Sequence, residues 1–90
     1  MTRLLLLGAE ANCGTDAAGA STFGSATVVR VVNTGTTNRL VTVIDSVGGS
    51  TTIGSFTLVG GAVEFVEKKS TEAIFAANAS VKGSKAGYTN

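Results

Sequence analysis

The stretch Val28-Val29-Arg30-Val31-Val32-Asn33-Thr34-Gly35-Thr36-Thr37-Asn38-Arg39-Leu40-Val41-Thr42-Val43-Ile44-Asp45 decides how this chain folds. Two β-branched runs flank a segment of Gly, Thr and Asn, the composition of two strands joined by a turn. Side chains alternate faces along a strand. In the strand read over Ala26–Asn33, Val29 and Val31 share one face, and Val28 and Val32 share the other with Arg30 between them. In Arg39–Asp45, Leu40, Thr42 and Ile44 oppose Val41 and Val43. A half-solvated antiparallel strand alternates apolar with polar, yet both of these are apolar on both faces. One face is expected to form the core, with Phe56, Leu58, Val63 and Phe65 opposite. The second face needs a cover. A neighbouring protein is the simplest one, and the N-terminal segment folded back is the alternative.

Downstream, the same alternation continues. Thr51–Val59 reads as a strand, Gly60-Gly61 as a two-residue primed hairpin turn, and Ala62–Glu67 as the returning strand. Lys68–Thr71 turns, with Lys68-Lys69 read as a solvated tip. Ala73–Ala79 is read as a strand, with a short helix starting at Ser70 or Thr71 as the competing reading. The segment from Val81 adds a short final strand through Val81 and Tyr88. Strands at this spacing with glycine turns predict an all-β fold, a small antiparallel β-sandwich or barrel.

Upstream, Gly8–Ser25 is almost wholly Gly, Ala, Ser, Thr and Asn, with Phe23 as its one large side chain. The division expected is an extended N-terminal arm over 1–25 and a single β domain over 26–90. Small side chains cannot order such an arm by their own bulk, because fixing each residue costs about 1–2 kcal/mol of backbone entropy. Either the domain's surface or a neighbouring subunit must hold it. Leu4, Leu5, Leu6 and Leu7 form an apolar run behind Arg3. The run falls short of the ~7–15 residues of a signal core, and Glu10 stands where cleavage favours small neutral residues. It reads as a strand or hydrophobic clip, and it is too short to span a bilayer.

The composition limits the chemistry. The 90 residues include no His, Trp or Pro and one cysteine, Cys13, so there is neither an internal disulfide nor a His/Cys zinc set. Without His, no Ser, Thr or Cys has its usual general base, and Ser84 with Lys82 or Lys85 is a weak substitute. Glu64 and Glu67 are an odd number apart, so they point to opposite faces of their strand and do not converge. Glu10, Asn12 and Asp16 lack the acidic density of a calcium loop, and the glycines match no phosphate-binding motif. Cofactors are expected to be none. The expectation is a protein that is not an enzyme.

Seven Lys/Arg stand against six Asp/Glu, and no region departs from neutrality by more than one charge. A nucleic-acid binder needs grouped, unopposed cations to displace phosphate counterions. Neither nucleic acid nor membrane is therefore expected as a partner. An apolar fraction of 43% beside only 14% charged residues is unusual for a free-living domain this small. Small domains without disulfide or metal gain stability through assembly, so a homo-oligomer or assembly component is expected. The candidate protein interface is Leu4, Leu5, Leu6, Leu7, Phe23, Val28, Val32, Val41 and Val43.

Three stretches carry a resemblance: Ala26-Thr27-Val28-Val29-Arg30-Val31-Val32-Asn33-Thr34-Gly35, Asn38-Arg39-Leu40-Val41-Thr42-Val43, and Phe65-Val66-Glu67-Lys68-Lys69-Ser70-Thr71-Glu72-Ala73-Ile74-Phe75-Ala76. Together they resemble small virion proteins of tailed bacteriophages, marine cyanophages in particular, over roughly residues 26–90. The last stretch is the most distinctive, and the family pattern has Pro where this chain has Ser70. The resemblance implies a capsid decoration or cement protein, made in the host cytoplasm and located on the virion head. Its implied partners are the major capsid protein or other virion subunits. A tail or connector component is the runner-up, and a loop-presenting sandwich binding module is the alternative from another class.

Overall fold

The computed structural model describes the backbone of residues 3–89 and the side chains of residues 5–87. Among the described residues eight strands appear in chain order: β1 (Arg3–Leu6), β2 (Ala11–Asn12), β3 (Val28–Asn33), β4 (Arg39–Ile44), β5 (Thr52–Leu58), β6 (Val63–Glu67), β7 (Ala73–Ala76) and β8 (Val81–Thr89). They form two antiparallel sheets. The larger follows the order β1-β8-β3-β6, with β2 also pairing β8, and the smaller follows β5-β4-β7. No helix occurs among the described residues, so Ala73–Ala76 is strand and the competing helix is set aside.

The sheets stack face to face over one core. Val29 and Val31 from β3 and Val81 from β8 meet Val41 and Val43 from β4, Leu58 from β5 and Ile74 from β7. The accessible surface is 4843 Å². A compact folded chain of 9.0 kDa is expected to expose roughly 4850 Å². The chain therefore exposes about what a folded monomer of its mass typically exposes.

The N-terminal segment is part of this sandwich. β1 and β2 pair along β8, and Cys13, Ala20 and Phe23 are buried. Gly14 O then accepts from Ala76 N at 3.1 Å, and Ser21 exchanges backbone bonds of 3.0 and 2.8 Å with Ile74, so the segment lines the free edge of β7. Between these anchors, Ala17 and Ala20 pack on Ile44, Ala73 and Phe75, which lie outward on the smaller sheet. Backbone pairing at two sheet edges therefore orders a stretch of small residues. On the outer side of β4 the chain itself covers Ile44, while Leu40 stays 49% exposed. Val41 and Val43, expected at an interface, face inward and are core, as is Phe23.

Pairing also differs from expectation across Gly60-Gly61. β5 and β6 belong to different sheets, and the Val59–Ala62 turn carries the chain from one to the other. Ala62 N donates to Val59 O at 3.0 Å, and of the two glycines only Gly61 has positive φ, at 78°. Positive φ at the second central position alone is a type II pattern, whereas a primed hairpin needs it at the first. With β6 paired to β3, Val63 lies across from Val32 and Phe65 from Arg30, both on the outside. Neither is core as expected: they are 36% and 45% exposed.

Candidate interaction surface

The outer face of the larger sheet can be read from its register. Three rows cross it: Val63, Val32 and Lys82; Phe65, Arg30 and Ser84; Glu67, Val28, Ala86 and Leu6. Val28, Arg30 and Val32 are half-buried, alternating with the buried Val29, Val31 and Asn33. Leu6 is 60% exposed. Ser84 and Ala86 point outward yet are buried, because small side chains on the central strand sit low between the larger ones of β3 and β1. Along β8 these small residues lie between Val28, Arg30 and Val32 of β3 on one side and Leu6 of β1 on the other. Arg30 pairs with Glu10 at 3.6 Å at the surface, an interaction of modest energy in water. An outer sheet face normally turns polar residues to solvent, and contiguous exposed apolar surface marks an interaction site.

Of the residues expected at an interface, Val28 and Val32 lie on this face, and Leu5, Leu6 and Leu7 are exposed on β1 and just beyond it. Leu4 is part of β1, and its side chain lies outside the described residues. Phe23, Val41 and Val43 do not join them. Val63 and Phe65 belong to the surface and were missed. Their alternation with Glu64 and Val66 was visible, but the strand partner that fixes which set faces in was not.

Two concavities flank the sheet. One of about 430 Å³ is lined by Leu7, Gly8, Ala9, Ala11, Ser21, Phe23, Gly24 and Lys85. The other, about 240 Å³, lies where β5 and β6 face each other and is lined by Phe56, Glu64, Phe65 and Val66. Ser21 and Lys85 both line the first, where Ser21 Oγ accepts from Phe23 N at 3.0 Å and Lys85 Nζ donates to Gly24 O at 3.1 Å, and the described residues include no cluster of three or more metal-ligating side chains.

The reactive groups elsewhere are occupied structurally. Cys13 is fully buried, and burial pushes its thiol pKa up to about 12 against the opposing pull of Lys82, so it is no thiolate at neutral pH. Lys68 was expected at a solvated tip but is buried. Its Nζ donates to Ala26 O at 2.6 Å and to Lys69 O at 3.3 Å. Burial lowers its pKa, while the nearby Glu72 carboxylate acts in the opposite sense. That ammonium closes the 68–72 turn onto the strand entering at Ala26.

Comparison with protein-family models, with curated proteins and with solved structures finds no match for this chain.

Proposed function

We propose that this protein is a non-enzymatic virion structural subunit of a tailed bacteriophage, a decoration or cement protein on the head surface. In this reading the larger sheet lies against the major capsid protein and bridges neighbouring subunits. One observation carries it: the row from Leu6 through Ala86 to Val28, with Val32, Val63 and Phe65 beside it, is apolar on a face that the chain leaves open. The sequence likeness over residues 26–90 supports the virion as the setting. The distribution of polar groups fits a packing role, since buried Asn33, Lys68 and Cys13 serve the fold and none is poised in a cleft.

The test is quantitative mass spectrometry of purified particles, with heads and tails separated. The expected result is this chain in the head fraction, in a fixed ratio to the major capsid protein. Presence only in tails would move it to a tail or connector position. Absence from both fractions, or glycan binding by the isolated monomer, would overturn the proposal.

A further inference from the structure

We infer that two copies of this chain form a two-fold dimer through β5, the strands pairing antiparallel with Phe56 opposite Phe56 of the second copy. The contact is separate from the capsid contact proposed above and leaves it free, since β5 belongs to the smaller sheet. That sheet has two edges, and the chain covers one of them. Gly14 and Ser21 bond the far side of β7, while β5 pairs β4 alone.

Sheets blunt an open edge with charged side chains, proline or bulges. β5 has neither charge nor proline, and no charged residue occurs from Ser46 to Val63. The register shift at Val43/Ile44 falls opposite the start of the strand, so Gly54–Leu58 runs regularly beside β4. A regular, neutral edge is a template for another strand.

Hydrogen bonding on the other side of β4 fixes which groups that edge offers. Leu40 O accepts from Ala77 N, so Leu40, Thr42 and Ile44 turn their backbone groups toward β7. Val41 and Val43 therefore bond Phe56 and Gly54 of β5. It follows that the N–H and C=O groups of Ser55 and Thr57 point away from the sheet.

A second copy answers these groups row by row. In an antiparallel pair centred on Phe56, Ser55 and Thr57 exchange N–H···O bonds with Thr57 and Ser55 of the second copy, and their hydroxyls meet on the outer side. The two Phe56 residues then form the narrow, non-hydrogen-bonded pair, where cross-strand aromatic side chains come closest. Phe56 shares the inner side with Val41 and packs on the core, yet it is only half-buried beside a concavity of about 240 Å³. The second copy covers its open flank. An edge without charge meets itself without repulsion. Glu64, which lines the same concavity, lies on β6 of the other sheet and is exposed, so its carboxylate keeps access to water. A two-fold contact uses the same patch on both subunits and stops at two copies.

Sedimentation velocity of the full chain at high micromolar concentration, with no capsid present, tests the pairing. The wild type is expected to sediment as a dimer. Thr57→Pro removes an outward N–H and none that bonds β4, and Ser55→Lys/Thr57→Lys sets lysines opposite lysines at exposed positions. Each is expected to be monomeric, with the dimer weakened at least about tenfold and circular dichroism verifying the fold. Oxidised glutathione is expected to link Phe56→Cys chains through position 56, located by peptide mass spectrometry, and to leave Gly54→Cys chains unlinked. A monomeric wild type, edge variants that stay dimeric, assemblies larger than two copies, or linkage at position 54 in preference to 56 would overturn the inference. A chain that is monomeric in solution yet present on heads would overturn the dimer and leave the proposed function standing. A dimer absent from particles would do the reverse.

Discussion

The side-chain amide of Asn33 donates to the carbonyl oxygen of Leu58 at 3.0 Å, joining the end of β3 in one sheet to the end of β5 in the other. The same amide donates to Thr37 O at 2.7 Å, while Oδ1 accepts from Gly35 N at 3.0 Å and Ser80 Oγ at 3.3 Å. Fully buried, Asn33 has its polar atoms satisfied, and it fixes three turns at one end of the sandwich. Asn33→Ala strands two carbonyls and a backbone amide. We expect a loss of about 2–4 kcal/mol in urea unfolding, above a single unmet group at ~1–3 kcal/mol. A loss below about 1 kcal/mol would show that the turns hold without it.

Lys68 makes stability depend on pH. Burial lowers its folded-state pKa below the ordinary 10.5, so the unfolded chain binds more protons between the folded and unfolded values. Stability therefore rises with pH through that window and is flat, for this group, below it. Lys68→Met lacks that rise and also leaves Ala26 O without its donor. The difference between wild-type and variant stability should widen in favour of wild type toward alkaline pH. Parallel curves would contradict the burial of the ammonium.

Cys13 should report opening of the sandwich. Its thiol is buried and held protonated, so a thiol reagent should label the native protein far more slowly than the urea-unfolded chain. The labelling rate should track destabilising substitutions such as Asn33→Ala. Rapid labelling of the native wild type would show that the β2 edge frays locally.

Gly83 and Phe23 form a size-matched pair. A Cβ on Gly83 would lie 2.8 Å from the Phe23 ring and 3.0 Å from Val29. Phe23 is buried in the core cluster, so its ring has little room to retreat. Gly83→Ala should cost about 1–3 kcal/mol by overpacking. Adding Phe23→Leu should recover part of that loss, giving coupling of at least about 0.5 kcal/mol. Strict additivity would contradict the contact.

How much of this was legible follows from what local sequence encodes. β3 to β7 were visible because valine, isoleucine and threonine runs end at Gly, Asn and Ser turns, and their bounds fall within a few residues of the readings. β8 was read as a short final strand but runs Val81–Thr89, pairing β1, β2 and β3. Its Gly83, Ser84, Ala86 and Gly87 have weak strand propensity. They are small because Phe23 crowds one side of the strand and larger neighbours overhang the other. Which strand pairs which is non-local, so the inward set of β6 and the inner face of β4 could not be chosen from alternation alone. The cover over Ile44 came from Ala17 and Ala20, whose small side chains carry no hydrophobic signal of their own. Val28 and Val32 were legible as interface candidates because their strand is apolar on both faces, and Leu5, Leu6 and Leu7, read as a strand or hydrophobic clip, are exposed.

The most direct test is competitive incorporation. Leu6→Lys/Val63→Lys places charge at two exposed positions on the outer face of the larger sheet, leaving the core untouched. Wild-type and variant chains, supplied equally during particle assembly, would be counted in purified heads by mass spectrometry. The account predicts the variant depleted at least tenfold, about 1.4 kcal/mol of lost binding, with its unfolding midpoint little changed. Equal incorporation of the two chains would contradict it.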